Sequence, residues 1–523
     1  PAALQVNPSV LRAAIADIRP AAHRIADGTF ANIRSSFAAA LASAGVIDRA
    51  PRGEAGRDPA WGPLVAKLPD PGMRHGLSSF LNWCAWRGVS PADISDETIN
   101  AYHLWLETRT LCPKPRDAVA RTPRLWNQAR DDVPGWPDIT LTEVSFRKEP
   151  EHLTWDEFDT RYRHDAAAYL EMRRSPDVFD DDPDAPAKPL AESTLRQHKE
   201  HLRLAGALLV EKGLPVETLT GLAMLVEIEA FKTILRHYHD KADGKASPFA
   251  TSMATILKQV AHYHVRVGEA HHGELKRIAR CLPTVEQDLT DKMKALLREL
   301  EDPACRARLL FLPETLLAAV VQDINAQRLR FVDAQVAIAV DIALVAPLRP
   351  QNLVALDWGR HFSQPDGARG RLVLHIPAAE TKTGKRDLTF EIPPDVAKRI
   401  NWYRRHVLPR LNADPNGRLF VTGKGKAKAQ ATLSQQITET IARHVGVHMT
   451  PHAFRHLSAY FYLEAHPEDF ETVRALLGHA WSKTTLIYAG SSSQRAGRAY
   501  ARHVADEREA LRPRRRRRPG PRT

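Results

Sequence analysis

Thr450-Pro-His-Ala-Phe-Arg-His456 is followed near the C-terminal end by Leu477-Gly-His-Ala-Trp-Ser-Lys-Thr-Thr-Leu-Ile-Tyr488. His452 and Arg455 are three residues apart, so in a helix they project from the same face. Thr450 and Pro451 place both in a first helical turn, where backbone N–H groups also face outward and suit a phosphate. An arginine adds a planar fork that bridges two phosphate oxygens and keeps its charge. His479, after Gly478 at an expected helix end, can donate to or accept from a phosphoryl oxygen. Tyr488 offers a phenol of ordinary pKa ~10, a weak nucleophile until positive charge and hydrogen bonds favour the phenolate.

Upstream, Val345-Ala-Pro-Leu-Arg-Pro350 supplies a second fork, Arg349, after a proline-bounded turn. Arg371-Leu-Val-Leu-His-Ile376 and Asp387-Leu-Thr-Phe-Glu-Ile392 alternate with period two around Glu380-Thr-Lys-Thr-Gly-Lys-Arg386. Strand, glycine turn, strand is the reading. The turn carries Lys382, with Lys385 and Arg386 beside it; a lysine there can reach into a groove and protonate a leaving alkoxide. Phe331 to Val345 reads as an apolar, buried helix, and helices are expected at 394–408, 432–446, 452–465, 468–478, 482–490 and 492–511. Residues 305–511 therefore read as a mostly helical domain with one small antiparallel sheet.

The chain ahead of that domain is mainly α. Residues 1–112 show three- and four-residue apolar steps (Phe30, Ile33, Phe37, Leu41; Leu77, Phe80, Leu81), with helix starts at Ser90 and Ser95. Residues 113–190 read as an irregular connection: prolines 113, 115, 123, 134 and 137 break the pattern, helical periodicity returns only around Trp155 to Met172, and an acidic, proline-spaced run occupies 177–189. Helices resume over 191–300. Arg87-Gly-Val and Lys212-Gly-Leu each follow a helix and precede a proline, which fits either related helical modules or the general likeness of small bundles.

A chain of 523 residues exceeds a single core. With 43 % hydrophobic and 26 % charged residues it is of globular type, and no run approaches the ~18 apolar residues of a membrane span. The first residues show no basic segment followed by an apolar core, so no signal peptide is expected. The four cysteines are scattered without metal spacing and are expected reduced, in the cytoplasm. The net charge of +12 points to a polyanion, yet seven arginines lie in the acid-free tail 512–523, leaving +5 elsewhere. That tail, with Arg514, Arg515 and Arg516, suits phosphate contact without sequence readout. No metal site is expected. His452 and His456 have helical spacing, but Ala453 stands where a zinc protease motif has its glutamate, and His237/His239, His262/His264 and His271/His272 lack a third ligand.

Taken together, Ala346-Pro-Leu-Arg-Pro-Gln-Asn-Leu-Val-Ala-Leu356, the lysine of Thr381-Lys-Thr-Gly-Lys385, His452-x-x-Arg455, and Leu477-Gly-His with a tyrosine nine residues after the histidine resemble the tyrosine recombinases, the phage integrase-like family of site-specific DNA recombinases. The resemblance covers 305–500. It implies helical DNA-binding modules (1–112 and a core-binding-like 191–300) ahead of a catalytic fold in 305–511. It further implies that Tyr488 attacks a DNA phosphodiester to form a 3′-phosphotyrosyl link, that Arg349 and Arg455 neutralise the non-bridging oxygens, and that Lys382 protonates the departing 5′-oxygen. His452 would assist the tyrosine's proton loss or orient the phosphate, and His479 would bond a phosphoryl oxygen.

No cofactor, metal or ATP is implied. The implied partners are double-stranded DNA, further copies of the chain in a tetrameric synapse and accessory recombination proteins, with the protein on the nucleoid when bound. Two departures stand out. Asn352 occupies the place where many members carry an acid, and Lys385 competes with Lys382 as general acid, the Thr-Lys-Thr-Gly context favouring Lys382. Other outcomes of such a site are a type IB-like topoisomerase, a telomere resolvase, or an idle DNA-binding partner in a transposition complex.

Overall fold

The computed structural model describes residues 7–146, 152–176, 185–186, 188–285, 288–325, 330–367, 370–382, 384, 386–466, 469–478 and 504. The expected helices at 482–490 and 492–511 and the tail 512–523 lie outside these residues, Val504 excepted. Contacts divide the chain into two compact units: Phe146–Gln287, and Pro1–Ser145 together with Asp288–Thr523.

Phe146–Gln287 is helical throughout its described elements. Helices Thr160–Arg174, Glu192–Glu211, Ile228–Asp240 and Pro248–Val260 enclose Tyr162, Leu202, Leu222, Phe231, Ile234, Met253 and Leu257, all fully buried. Side-chain oxygens of Asp159 and Ser247 cap two of these helices. The Tyr162 hydroxyl donates to the Leu202 carbonyl (2.8 Å), so the buried phenol is satisfied. Gly206 is required by close approach: a Cβ there would sit 2.8 Å from the Tyr162 oxygen.

The N-terminal part of the other unit is built on aromatic rings. Asp70 caps Pro71–Arg87 and a Ser95/Thr98 capping box starts Asp96–Arg109. Trp61, Phe80, Tyr102 and Trp126 pack edge to face at centroid distances of 5.2–6.3 Å. Here the sequence reading needs correction. Pro115–Asp132 is an 18-residue helix rather than an irregular connection. Pro115 stands in its first turn, where its missing N–H costs nothing. Pro123 lies inside the helix, and the buried face of Val119, Trp126 and Ala129 offsets its cost. Trp126 and Asn127 then bond the backbone of Ile139 and Leu141, pinning the extended segment that follows. The two Gly turns share one geometry: Pro71–Arg87 ends in left-handed Gly88 and Glu192–Glu211 in Gly213 (φ +104°), each followed by a short 3-10 turn.

From Asp291 to Gly478 the described residues are mostly helical with one small antiparallel sheet, as expected. Phe331–Val345 is a helix with ten buried residues, and Leu312–Asn325 and Gln430–His444 pack on it. The sheet has three antiparallel strands in the order β1 (Phe362–Ser363), β2 (Leu372–Ile376), β3 (Leu388–Ile392). Leu374 pairs with Phe390, and Leu372, Leu374 and Ile376 point to the core with Leu388, Phe390 and Ile392. β1, two residues long, is too short for its alternation to be legible. The N-terminal turn Pro20–His23 seats on this part of the chain: a Cβ at Gly446 (φ +91°) would meet the Ala22 nitrogen at 2.5 Å. None of the described helices is long and apolar enough to cross a membrane.

Trp126→Ala should remove the ring on which the N-terminal aromatic cluster closes, at a cost of about 3–5 kcal/mol. Chemical denaturation checks this, and a loss below about 1 kcal/mol would show that the cluster carries little of the stability.

Candidate active site

The centre of the site is a buried guanidinium. Arg455 lies in the helix Ala453–Ala465 and is 3 % exposed. Its Nη1 donates to the Pro347 carbonyl at 2.6 Å and its Nη2 to the Leu477 carbonyl at 2.5 Å. One side chain thus ties together the turn that carries Arg349 and the helix end that leads to His479. The helix starts at Ala453, one residue later than the sequence suggested, with His452 as its N-cap.

Arg349 is the N-cap of the short helix Pro350–Val354, with Pro350 fixing the first helical φ. Its half-buried side chain has no hydrogen-bond acceptor or ion-pair partner among the described residues. Burial alone lowers its pKa from the usual arginine value, and a guanidinium stays charged regardless.

Lys382 is exposed at the head of the turn between β2 and β3. The Thr381 hydroxyl bonds the Ala378 carbonyl (2.8 Å), and left-handed Gly384 returns its N–H to the Thr381 carbonyl (3.1 Å). A second tie reaches this turn from the Arg349 side. Asn352 is buried and its Nδ2 donates to the Glu380 carbonyl at 2.9 Å. The Glu380 carboxylate is held in turn by His361 Nε2 (3.0 Å) and Arg360 (2.5 Å). The residue that departs from the family's acid therefore braces the lysine turn against the arginine turn.

His452 reports how closely the parts converge. Its ring reaches solvent, yet enough protein surrounds it that desolvation lowers its pKa, and the charges of Arg455, Arg349 and Lys382 lower it further. The imidazole is thus neutral at pH 7. His456, 5.1 Å from the His452 ring centroid, is pushed to about 4 by burial, His452 and Arg455. Three cations around two neutral imidazoles form a field suited to an anion and opposed to a metal ion.

Four of the six expected catalytic residues are thus described and brought together: Arg349, Lys382, His452 and Arg455. His479 and Tyr488 lie outside the described residues, as do Lys385, Arg514, Arg515 and Arg516. Arg386 is exposed beside β3. Gly478, immediately before His479, is left-handed, and a Cβ there would meet Leu388 of β3 at 2.7 Å, so this turn abuts the sheet and requires glycine. The Glu380–His361–Arg360 network went unnoticed in the sequence, since only the β1–β2 pairing brings positions 361 and 380 together.

Residues 314–495 match the model of the phage integrase family. The tyrosine recombinase XerC of Pseudomonas fluorescens is 24 % identical over 283 residues, covering 53 % of this chain and 80 % of that protein. The XerC of Chlamydia pneumoniae is 30 % identical over 107 residues, 20 % of this chain and 34 % of its own length. Among solved structures, the Tn1549 transposon integrase in complex with transposon right end DNA is 15 % identical, with a TM-score of 0.37 over 65 % of this chain and 98 % of that one. The C-terminal part of the chain, residues 314–495, is thus similar to the phage integrases and to the XerC tyrosine recombinases.

The lowered histidines set a pH dependence. Below about pH 6.5 the unfolded chain takes up protons that folded His456 refuses until about 4, so stability present at neutral pH declines on acidification across that window. His456→Gln should flatten the fall in melting temperature between pH 7 and pH 5, and an unchanged slope would contradict the assignment.

Proposed function

We propose that the chain is a site-specific recombinase that cleaves and rejoins DNA strands through a 3′-phosphotyrosyl intermediate at Tyr488. The observation that carries the proposal is the Arg455 tie. A buried guanidinium, held by carbonyls from two separate turns, ties the turn that carries Arg349 to the helix end that precedes His479.

In this reading a phosphodiester occupies that locus. Arg349 and Arg455 face its non-bridging oxygens, supplying by fixed positive charge the stabilisation that the pentacoordinate transition state requires. Tyr488 Oη attacks phosphorus. Its proton passes to His452, which can accept one because its lowered pKa keeps it neutral at pH 7. As the phosphorus–oxygen bond to the 5′ side breaks, Lys382 delivers a proton to the departing oxygen. His479 bonds a phosphoryl oxygen. The bond energy is retained in the tyrosyl ester, so a 5′-hydroxyl from another strand can reverse the steps without ATP. Asn352 serves as a positioning residue, keeping the lysine turn in register with Arg349.

Residues 191–300 serve as a core-binding DNA module and the chain assembles as a tetramer on its DNA, aided by accessory proteins. Relaxation of a plain supercoiled plasmid would favour a topoisomerase, and hairpin-ended products a telomere resolvase.

Four substitutions test this scheme. Tyr488→Phe should abolish every covalent DNA adduct, and an adduct surviving in it would sink the assignment. Arg349→Ala should slow cleavage by about 10²–10³, and Lys382→Ala by about 10²–10⁴. A substrate whose leaving 5′-oxygen is replaced by sulfur needs no general acid, so it should restore Lys382→Ala and leave Arg349→Ala impaired. Failure of that rescue would remove Lys382 from the acid role. Asn352→Ala should slow cleavage and be rescued by the same sulfur substrate in part, whereas an unaltered rate would remove its positioning role.

A further inference from the structure

Lys382 carries its amine on a long, exposed side chain, so the reach of that amine depends on where the turn holds its backbone. Bonds inside the hairpin shape the turn: Glu380 N–H donates to the Pro377 carbonyl (2.9 Å) and Ala378 N–H to the Asp387 carboxylate (2.7 Å). None of these reaches the element that carries Arg349. Among the described residues, the hydrogen bonds and ion pairs that arrive at the turn from outside the hairpin converge on Glu380, two residues before Lys382. Asn352 holds its backbone carbonyl, and His361 holds its carboxylate.

His361 is oriented from both sides of its ring. It is 3 % exposed and ends the short helix Trp358–His361 that leads into β1. Its Nδ1 accepts the Asp357 N–H at 3.0 Å, so the neutral ring carries its proton on Nε2 and donates it to Glu380 Oε2, also at 3.0 Å. The helix beneath is itself anchored. The N–H groups of Trp358 and Gly359 donate to the carbonyls of Gly417 (2.9 Å) and Asn416 (3.0 Å). The guanidinium of Arg404, itself buried, lies 3.4 Å over the Trp358 ring and donates to the Pro415 carbonyl (2.8 Å). Arg360, the other partner of the Glu380 carboxylate, is exposed, so solvent weakens its hold.

We infer that His361 is a positioning residue for Lys382, acting through the carboxylate of Glu380. The inference rests on the reading of Lys382 as the general acid. Without the His361 bond the turn keeps its Asn352 tie and loses its second fixed point, so the amine spends less time at the leaving oxygen. Arg349, His452 and Arg455 stand on other elements and keep their places.

The test uses the full chain and a duplex carrying the sequence at which the protein is trapped covalently on DNA, with oxygen or sulfur at the leaving 5′ position. Glu380→Ala removes the acceptor and His361→Phe the donor. The Glu380 side chain is partly exposed, so Glu380→Ala serves where His361→Phe does not fold. Each should slow cleavage of the oxygen substrate by about 10- to 100-fold, less than the about 10²–10⁴ of losing the acid outright. Each should cleave the sulfur substrate near the unaltered rate, because that leaving group needs no proton. Glu380→Gln, whose amide oxygen still accepts from Nε2, should retain most of the rate. Added to Lys382→Ala, Glu380→Ala should cause no further loss, since it acts through the missing amine. An unaltered rate on the oxygen substrate, equal slowing on both substrates, or an additive loss in the double variant overturns the inference. Lys382→Ala that sulfur does not rescue is a separate outcome, removing the general-acid reading and the inference with it.

Discussion

The buried guanidinium of Arg455 is the constraint on which the rest of the site depends. Taking a permanently charged group out of water is costly, and it is tolerated here because backbone carbonyls of Pro347 and Leu477 accept its hydrogen bonds. Those carbonyls are far apart in sequence, one within the loop after Phe331–Val345 and the other ending Phe470–Leu477. The same bonds that make the charge acceptable therefore set the distance between the two turns. Shortening the side chain at 455 would leave buried carbonyls unpaired and the turns unlinked, so structure and chemistry would fail together.

Electrostatics builds on that frame. Two arginines and a lysine converge on His452, and their combined field with desolvation keeps the imidazole neutral. A neutral histidine beside fixed cations can take a proton, and the cations favour a phenolate over a phenol. No acid is present at position 352 to soften this field; the amide of Asn352 supplies the hydrogen bond and no charge. Glu380, the nearest carboxylate of the lysine turn, is engaged by His361 and Arg360. The net result is a cationic locus suited to an anion.

Much of this was legible in the chain. Period-two alternation gave β2 and β3 to within a residue, and unbroken apolar sequence marked Phe331–Val345 as a core helix. Arg349, Lys382, His452 and Arg455 stand out in the sequence by type and spacing, and the structure brings the three cations within electrostatic reach of His452. What escaped was non-local. Prolines at 115 and 123 read as breaks, but burial of Trp126 against Pro71–Arg87 outweighs local propensity. The Glu380–His361 brace has no spacing signature, since it depends on a two-residue strand. His479 and Tyr488 lie outside the described residues, and their roles rest on spacing within the family pattern.

The most direct measurement is the identity of the bond between protein and DNA. Protein trapped on cleaved DNA, digested with protease and nuclease and read by mass spectrometry, should yield a peptide carrying a nucleotide 3′-phosphate on the oxygen of Tyr488. A nucleotide linked to any other residue, or joined through its 5′-phosphate, would contradict the account.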